Sequence, residues 1–503
     1  MSSEPCAERT ARGPFYAQSR WWLAPAIAAA VVTVAAQQPP VPELVIHNGV
    51  LVSPEGRSEG DLRIRNGTIA EIGRNLQPAA GAREIDAKGM LVLPGGIDPH
   101  VHLPGIPPGE GADDYASASR AALAGGTTTI GNFVSPVAGE DLASTLDKEI
   151  ALVRKQAIAD VILHAESSDP GKIPLPGQAD LAMLAARGFT LKFYLMRRYF
   201  DTYVPDHIRM LRAAGAAGLL TMVHCEDSSI VTTTKERMVA EGRTAIRYFA
   251  ESSPVVAEEL ATQRAVAMSE VTGSPIYIVH LSSERALRAA EAGMSRGLPV
   301  FVETRTMYLH LTKERLEEPD GGIYTGNPPL REKRDMDALW DALAKGTIHV
   351  VATDHIGLTR KDKLDPPQTI TRTKPAGNYL QANLPLLYSQ GVRTKRITLE
   401  QFVAVSSTNP AKLFGLYPSK GAIAVGSDAD VVIWNPNLKQ TIRDEDQLSN
   451  SRFAIFRGWE VTGWPVVTIR RGEVVYQDGK ITAAAGSGRL APRHRWQQPS
   501  PRH

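Results

Sequence analysis

His100, His102, Lys192, His224, His280 and Asp354 stand at the ends of five apolar, strand-like runs, and as a set they read as a two-metal hydrolytic site. A lone His-x-His pair carries little weight, because alternate residues of any strand share one face. Six such positions spread over the ends of five strands are a different matter. Asp98-Pro99-His100-Val101-His102 closes the first run, and the period of two sends both imidazoles to one side, able to grip one divalent ion. His224 and His280 end two further runs and would hold a second ion. Asp354 ends the run Val350-Val351-Ala352-Thr353. His164, on a similar run but with no motif around it, reads as a satisfied structural histidine, and His355 as a supporting residue.

Such residues need a scaffold that brings strand ends together. The middle of the chain alternates apolar strands at 91–97, 127–133, 161–165, 189–195, 219–223, 276–280, 300–303 and 348–353 with helical stretches such as 114–124, 256–272, 284–296 and 335–345. Alternation of this kind predicts parallel βα units and a TIM-like (β/α)8 barrel, in which chemistry sits at the C-terminal ends of the strands, where the six candidates fall. From Glu43 onward the texture is short antiparallel strands with Asn48-Gly49 and Asn66-Gly67 as turns, and it returns after Gly421. The two ends are expected to pair into a small β-sandwich, with the N-terminal part at 41–93, the barrel at 94–418 and the C-terminal part at 419–485.

The chain has 503 residues, net charge +2 and 22% charged residues without a long basic block before its C-terminus, which argues against a nucleic-acid surface and for a small-molecule partner. Cys6 and Cys225 are the two cysteines, too few for a disulfide framework. On a strand Cys225 would face away from its neighbour His224, which favours a buried structural thiol. Residues 1–40 follow the order of a secretory signal: Arg9, Arg12 and Arg20, then the apolar run 21–36, then Gln37-Gln38-Pro39-Pro40. Export is the expectation, as a cleaved protein or one tethered to a membrane through 21–36, with a cytoplasmic protein preceded by an upstream start as the alternative. Residues 486–503 are rich in Pro, Arg and Gln and read as a disordered tail.

Lys192 demands separate explanation, because an ammonium cannot ligate a cation. Asp-x-His-x-His, a lysine in the middle of the barrel, two single histidines and a late aspartate together resemble the amidohydrolase superfamily. That resemblance implies a Lys192 carboxylated by carbon dioxide, whose anionic carbamate bridges two divalent ions, zinc or manganese. It also implies that Asp354 touches a metal, takes the proton of a bridging hydroxide and passes it to the departing nitrogen.

Within the superfamily the chain is most similar to the dihydropyrimidinase and hydantoinase branch of cyclic amidohydrolases, from about Glu43 to Lys480. The supporting residues are Leu93-Pro94-Gly95-Gly96-Ile97, Asp113-Asp114-Tyr115, Gly125-Gly126-Thr127-Thr128-Thr129, Gly326-Asn327-Pro328-Pro329-Leu330-Arg331, Asn409-Pro410-Ala411-Lys412 and Gly426-Ser427-Asp428-Ala429-Asp430. The branch implies a cyclic amide or ureide substrate and a homodimer or homotetramer, with Asn327, Arg331 and Asn378 as substrate-binding candidates.

Three departures bear on the substrate. The branch's tyrosine five residues after the bridging lysine is Arg197 here, with Tyr194 and Tyr199 close by but out of register. Arg197 either supplies positive charge to the developing oxyanion, binds a substrate carboxylate or is an exposed loop arginine. Asn327 stands where a serine is usual, and the segment 373–379 replaces a usual Gly-Ile-Glu or Gly-Val-Glu stretch. The alternatives are an allantoinase, an acyclic amidase or a dipeptidase, and, more remotely, a scaffold without catalysis. A dihydroorotase fits less well, because His102 is followed by Leu103-Pro104-Gly105 rather than an arginine.

Overall fold

The computed structural model describes residues 43–104 and 111–497. The expected leader or anchor at 1–40, and the last residues of the tail, 498–503, lie outside the described residues. Among the described residues no helix is long and apolar enough to cross a membrane.

Two sheets organise the chain. One consists of parallel strands Gly96–His102, Thr127–Val134, Asp160–Glu166, Thr190–Tyr194, Thr221–His224, Ile276–Ile278, Val300–Arg305 and Val350–Ala352, each hydrogen-bonded to the next. The eighth run breaks at Thr353-Asp354 and resumes as His355–Ile356, which pairs in parallel with the first strand through His355 opposite Val101. The ladder thus returns to its start, giving the TIM-like (β/α)8 barrel. Its strands are buried almost throughout, as parallel strands covered on both faces must be. The helices between them carry their own stop signals. Asp114 Oδ1 accepts from the Ser117 amide at 2.8 Å and caps Tyr115–Ala124, while Gly273, at φ 68°, ends Val255–Thr272.

The other sheet joins both ends of the chain. Leu91–Pro94 lies between Leu44–Ser53, to which it is parallel, and Val431–Thr441, to which it is antiparallel. Leu44, Ile46, Leu62 and Ile64 from one end share a buried cluster with Val431, Ile433 and Ile469 from the other, so this nine-stranded sheet folds over one apolar core. The expected strand 91–97 is therefore two strands in different sheets. The break falls at Gly95, whose amide donates to Asp430 O at 2.8 Å and where a Cβ would lie 2.3 Å from Thr128 Oγ1.

The expected disordered tail is also corrected for 486–497, which crosses under the N-terminal ends of the barrel strands. The Val161 amide donates to Arg489 O at 2.9 Å, the Ala491 amide to Val161 O at 2.8 Å and the Trp496 amide to Gly218 O at 3.1 Å. Ala491 and Trp496 join Ile97, Ile162, Met222, Tyr277 and Val350 in the cluster that fills the barrel floor. The mean composition is polar, but Leu490, Ala491 and Trp496 sit where apolar surface needs covering, and the backbone pairs with strand-end groups. Nearby, Lys420 Nζ lies 2.8 Å from Asp160 Oδ2 and 2.6 Å from Asp430 Oδ2. This ammonium fills the acidic group Asp160, Asp428 and Asp430 and bolts the barrel to the terminal sheet.

Candidate metal centre

The first barrel strand ends on His100 and His102, whose rings are 5.3 Å apart, and the fifth ends on His224. His280 follows the sixth strand by two residues, and Asp354 occupies the break in the eighth run. Both take left-handed backbone, with φ 39° and 51°. For residues other than glycine this costs about 1–3 kcal/mol each and persists only where the surroundings over-determine it. The His280 amide is tied to Glu303 Oε1 at 2.9 Å. The Asp354 carboxylate is held from two sides.

Asp354 Oδ1 lies 3.2 Å from His100 Nε2 and 3.0 Å from His102 Nε2, and the ligand atoms of the three residues fall within 4.8 Å of one another. Its other oxygen, Oδ2, is 3.1 Å from Nη1 of the buried Arg305. Burial alone would raise this carboxyl, but Arg305 and His100 outweigh it and hold it well below the usual carboxylate range. The His280 ring sits 4.5 Å from that of His224 and 5.4 Å from that of His100. Burial, then the neighbouring His224, push its imidazole well below the ordinary value, leaving it neutral as a ligand must be.

Lys192 is fully buried on the fourth strand, and its Nζ has no hydrogen-bond partner among the described residues. It lies 5.0 Å from the ring centroids of both Phe133 and Tyr194. Burial lowers the ammonium to about 8 against the pull of Glu303 and Asp354. An unpartnered buried cation is costly, so this amine suits a neutral or modified state. These features fit a pair of cations gripped by imidazoles, a carboxylate and a modified lysine.

The other candidates divide. His224 Nε2 lies 2.8 Å from Glu226 Oε2, so that nitrogen is engaged by a buried carboxylate. Arg197 is exposed, its guanidinium stacked 5.3 Å over the Tyr194 ring. Arg331 is buried and spends its donors on Ser282 Oγ at 3.0 Å, Ser253 O at 2.6 Å and Glu258 Oε2 at 3.3 Å, which makes it a clamp between loops. Asn378 donates to Leu358 O and leaves its buried Oδ1 without a partner among the described residues. Asn327 is half-buried. His164 is satisfied by Thr190 Oγ1 and Pro99 O, and Cys225 is buried with its thiol pushed up by burial, both structural. His355 supports the site from behind, 2.9 Å from Asp113 Oδ2.

Sequence reasoning passed over Glu303 and Arg305, at the end of the seventh strand. Glu303 is fully buried, 2.7 Å from His100 Nδ1 and 2.9 Å from the Tyr277 hydroxyl. Two charged residues closing the apolar run Val300-Phe301-Val302 were the available signal. Asp98 was noted only as part of a motif. It bonds Thr353 Oγ1 at 2.6 Å and the His100 amide at 3.2 Å, stitching the first strand to the eighth, and burial pushes its carboxyl up to about 6.

Residues 91–475 match the model of the amidohydrolase family. The chain is 37% identical over 463 residues to a D-hydantoinase of Ralstonia pickettii, covering 91% of this chain and all of the relative. It is similar to the crystal structure of a dihydropyrimidinase from Brevibacillus agri, with a TM-score of 0.85, 33% identity and coverage of 91% of this chain and 100% of the other. An L-hydantoinase from Arthrobacter aurescens superposes with a TM-score of 0.81 at 26% identity, over 90% of this chain and 99% of that one.

Proposed function

This chain belongs to the amidohydrolase family, and from that premise we propose that it is a metal-dependent hydrolase that opens the C–N bond of a cyclic amide or ureide of the hydantoin or dihydropyrimidine type. The observation that carries the reading is the convergence of His100, His102 and Asp354 beside the unpartnered, fully buried Lys192. Relatives named for both ring types, matched over nine-tenths of the chain, support the substrate class.

His100, His102, His224, His280, Asp354 and a carbamate on Lys192 would hold two divalent ions, zinc or manganese, which make water acidic enough to attack at neutral pH and polarise the scissile carbonyl. An amine held down to about 8, against an ordinary 10.5, is unprotonated in about one molecule in ten at pH 7, far more often than an exposed lysine, and that form has the lone pair carbon dioxide needs. Glu303 holds His100 by Nδ1 so that Nε2 faces Asp354. Asp354 takes the proton of the attacking water and returns it to the ring nitrogen as the bond breaks. Asn327 and Asn378 each follow a glycine packed on Arg305, Gly326 and Gly377, and are assigned to the ring's polar groups. Arg197 is assigned to the rim, as a charge for the developing oxyanion or for a substrate carboxylate.

The signal-like order of residues 1–40 supports export, with or without a tether through 21–36, and the branch supports a homodimer or homotetramer. The deciding experiment offers the zinc- or manganese-loaded chain hydantoin, dihydrouracil, allantoin and N-acyl amino acids, with both enantiomers of a 5-substituted hydantoin. Ring opening to N-carbamoyl products is expected. Activity confined to acyclic amides, or a loaded enzyme inert on the whole panel, overturns the proposal.

A further inference from the structure

Arg305 is 1% exposed, and its environment is built around it. Its Nε donates to the Tyr379 hydroxyl at 3.2 Å, and its guanidinium lies 5.3 Å over the Tyr308 ring. A Cβ on Gly326 would stand 2.8 Å from Nη1 and one on Gly377 2.7 Å from Nη2, so two glycines from separate loops leave a slot the width of the planar group. From this slot Nη1 reaches Asp354 Oδ2 at 3.1 Å. The Tyr379 hydroxyl meanwhile donates to Thr353 O at 2.7 Å, the carbonyl of the peptide that leads into Asp354. Arg305 and Tyr379 therefore grip Asp354 by its side chain and by its backbone, at a residue whose left-handed φ would otherwise relax.

The two carboxylate oxygens are chemically equivalent until their surroundings distinguish them. Oδ1 faces His100 and His102, and Oδ2 faces Arg305. Nothing else among the described contacts of Asp354 ties Oδ2 to a cation. We propose that Arg305 is a positioning residue of the hydrolytic site, which through Asp354 and in concert with Tyr379 fixes which carboxylate oxygen is presented to the imidazole pair and holds that carboxylate in register for proton transfer. This rests on the reading of Asp354 as the proton carrier. The planar fork is essential to it, since one nitrogen meets Tyr379 while another meets Asp354, a division a lysine ammonium cannot reproduce in the same slot.

The test uses the full chain loaded with metal. Arg305→Ala is expected to lower kcat about 100-fold, the scale of a misplaced catalytic group, while KM stays within about threefold and metal content is unchanged. Sub-denaturing guanidinium is expected to enter the vacated slot and restore much of the lost kcat in Arg305→Ala, with no effect on Asp354→Ala; Arg305→Lys stays impaired. If Arg305→Ala does not fold, Tyr379→Phe, which keeps the ring, carries the test with an expected loss in kcat of about tenfold at constant KM. Wild-type kcat in the folded variant overturns the proposal, and so does a raised KM at constant kcat, which would make Arg305 a substrate contact. If the wild type opens no ring, the hydrolase reading fails by itself. Crystal structures of Arg305→Ala and wild type then decide the clamp: a rotated Asp354 carboxylate upholds it and an unmoved one overturns it.

Discussion

Nδ1 of His100 donates to Oε1 of Glu303 at 2.7 Å, and the same oxygen accepts the backbone amide of His280 at 2.9 Å. One carboxylate thus orients an imidazole on the first strand and pins the strained backbone of another ligand candidate beyond the sixth. Glu303→Gln preserves the shape but replaces an anionic acceptor with a neutral amide. Metal affinity is expected to fall about 10- to 100-fold, the usual cost of losing a partner behind a ligand. Competition against a chelator, read as metal retained per chain, measures it.

Lys192 is expected to carry a carbamate once metal is bound. Reconstitution of metal-free protein in buffer stripped of carbon dioxide should give low activity that rises on adding bicarbonate, and 13C-bicarbonate should yield a protein-bound carbamate resonance. Lys192→Ala should lose both the resonance and the bound metal. Full metal content and activity in that variant would remove the bridge from the mechanism.

For Asp354→Ala the fold should survive and the rate of ring opening should drop by about 10³-fold or more, since proton transfer and a metal contact go together. Circular dichroism verifies the fold and steady-state kinetics the loss. A near-normal rate would leave the proton to another group.

Asp113 offers a pH test away from the centre. It lies 2.9 Å from His355 Nε2 and accepts from the Ser449 hydroxyl at 2.5 Å, and although burial opposes it, these partners, His355 first, hold its carboxyl down at about 2. Because the folded value lies below the ordinary 3.8, its contribution to stability is present above that value and disappears as the pH falls toward about 2. Asp113→Asn should therefore cost about 2 kcal/mol at neutral pH, and the gap between variant and wild type should close in strong acid. Urea denaturation at neutral and acid pH reads both.

The positions that meet at the centre were legible because each announces itself locally. A histidine, lysine or aspartate closing an apolar run is unusual wherever it occurs, and barrel geometry gathers such ends whatever lies between them. Glu303 and Arg305 close a run too, but their meaning lies in partners far along the chain: His100 for one, Asp354 and Tyr379 for the other. No local pattern encodes a bond across 203 positions. The tail failed for a different reason. Composition averages over residues, whereas the barrel floor needs only Leu490, Ala491 and Trp496 in the right places. The split of 91–97 into two sheets turned on Gly95, whose close approach to Thr128 is invisible to periodicity.

Deleting residues from 486 onward should accordingly lower the unfolding free energy by about 3 kcal/mol, the scale of a few apolar side chains returned to water. Thermal denaturation reads the loss. An unchanged melting temperature would show the floor to be sealed without the segment.

The placement of Leu91–Pro94 between Leu44–Ser53 and Val431–Thr441 also dictates an order of events during synthesis. The strand at 91–94 leaves the ribosome with one neighbour already made and the other still more than 300 residues away, an interval on the order of tens of seconds. Throughout it one edge of the strand offers unpaired amides and carbonyls, the kind of edge that recruits foreign strands. All eight barrel strands are synthesised before that edge is covered, so the terminal sheet closes only after them and its open edge is exposed to mispairing when synthesis stalls.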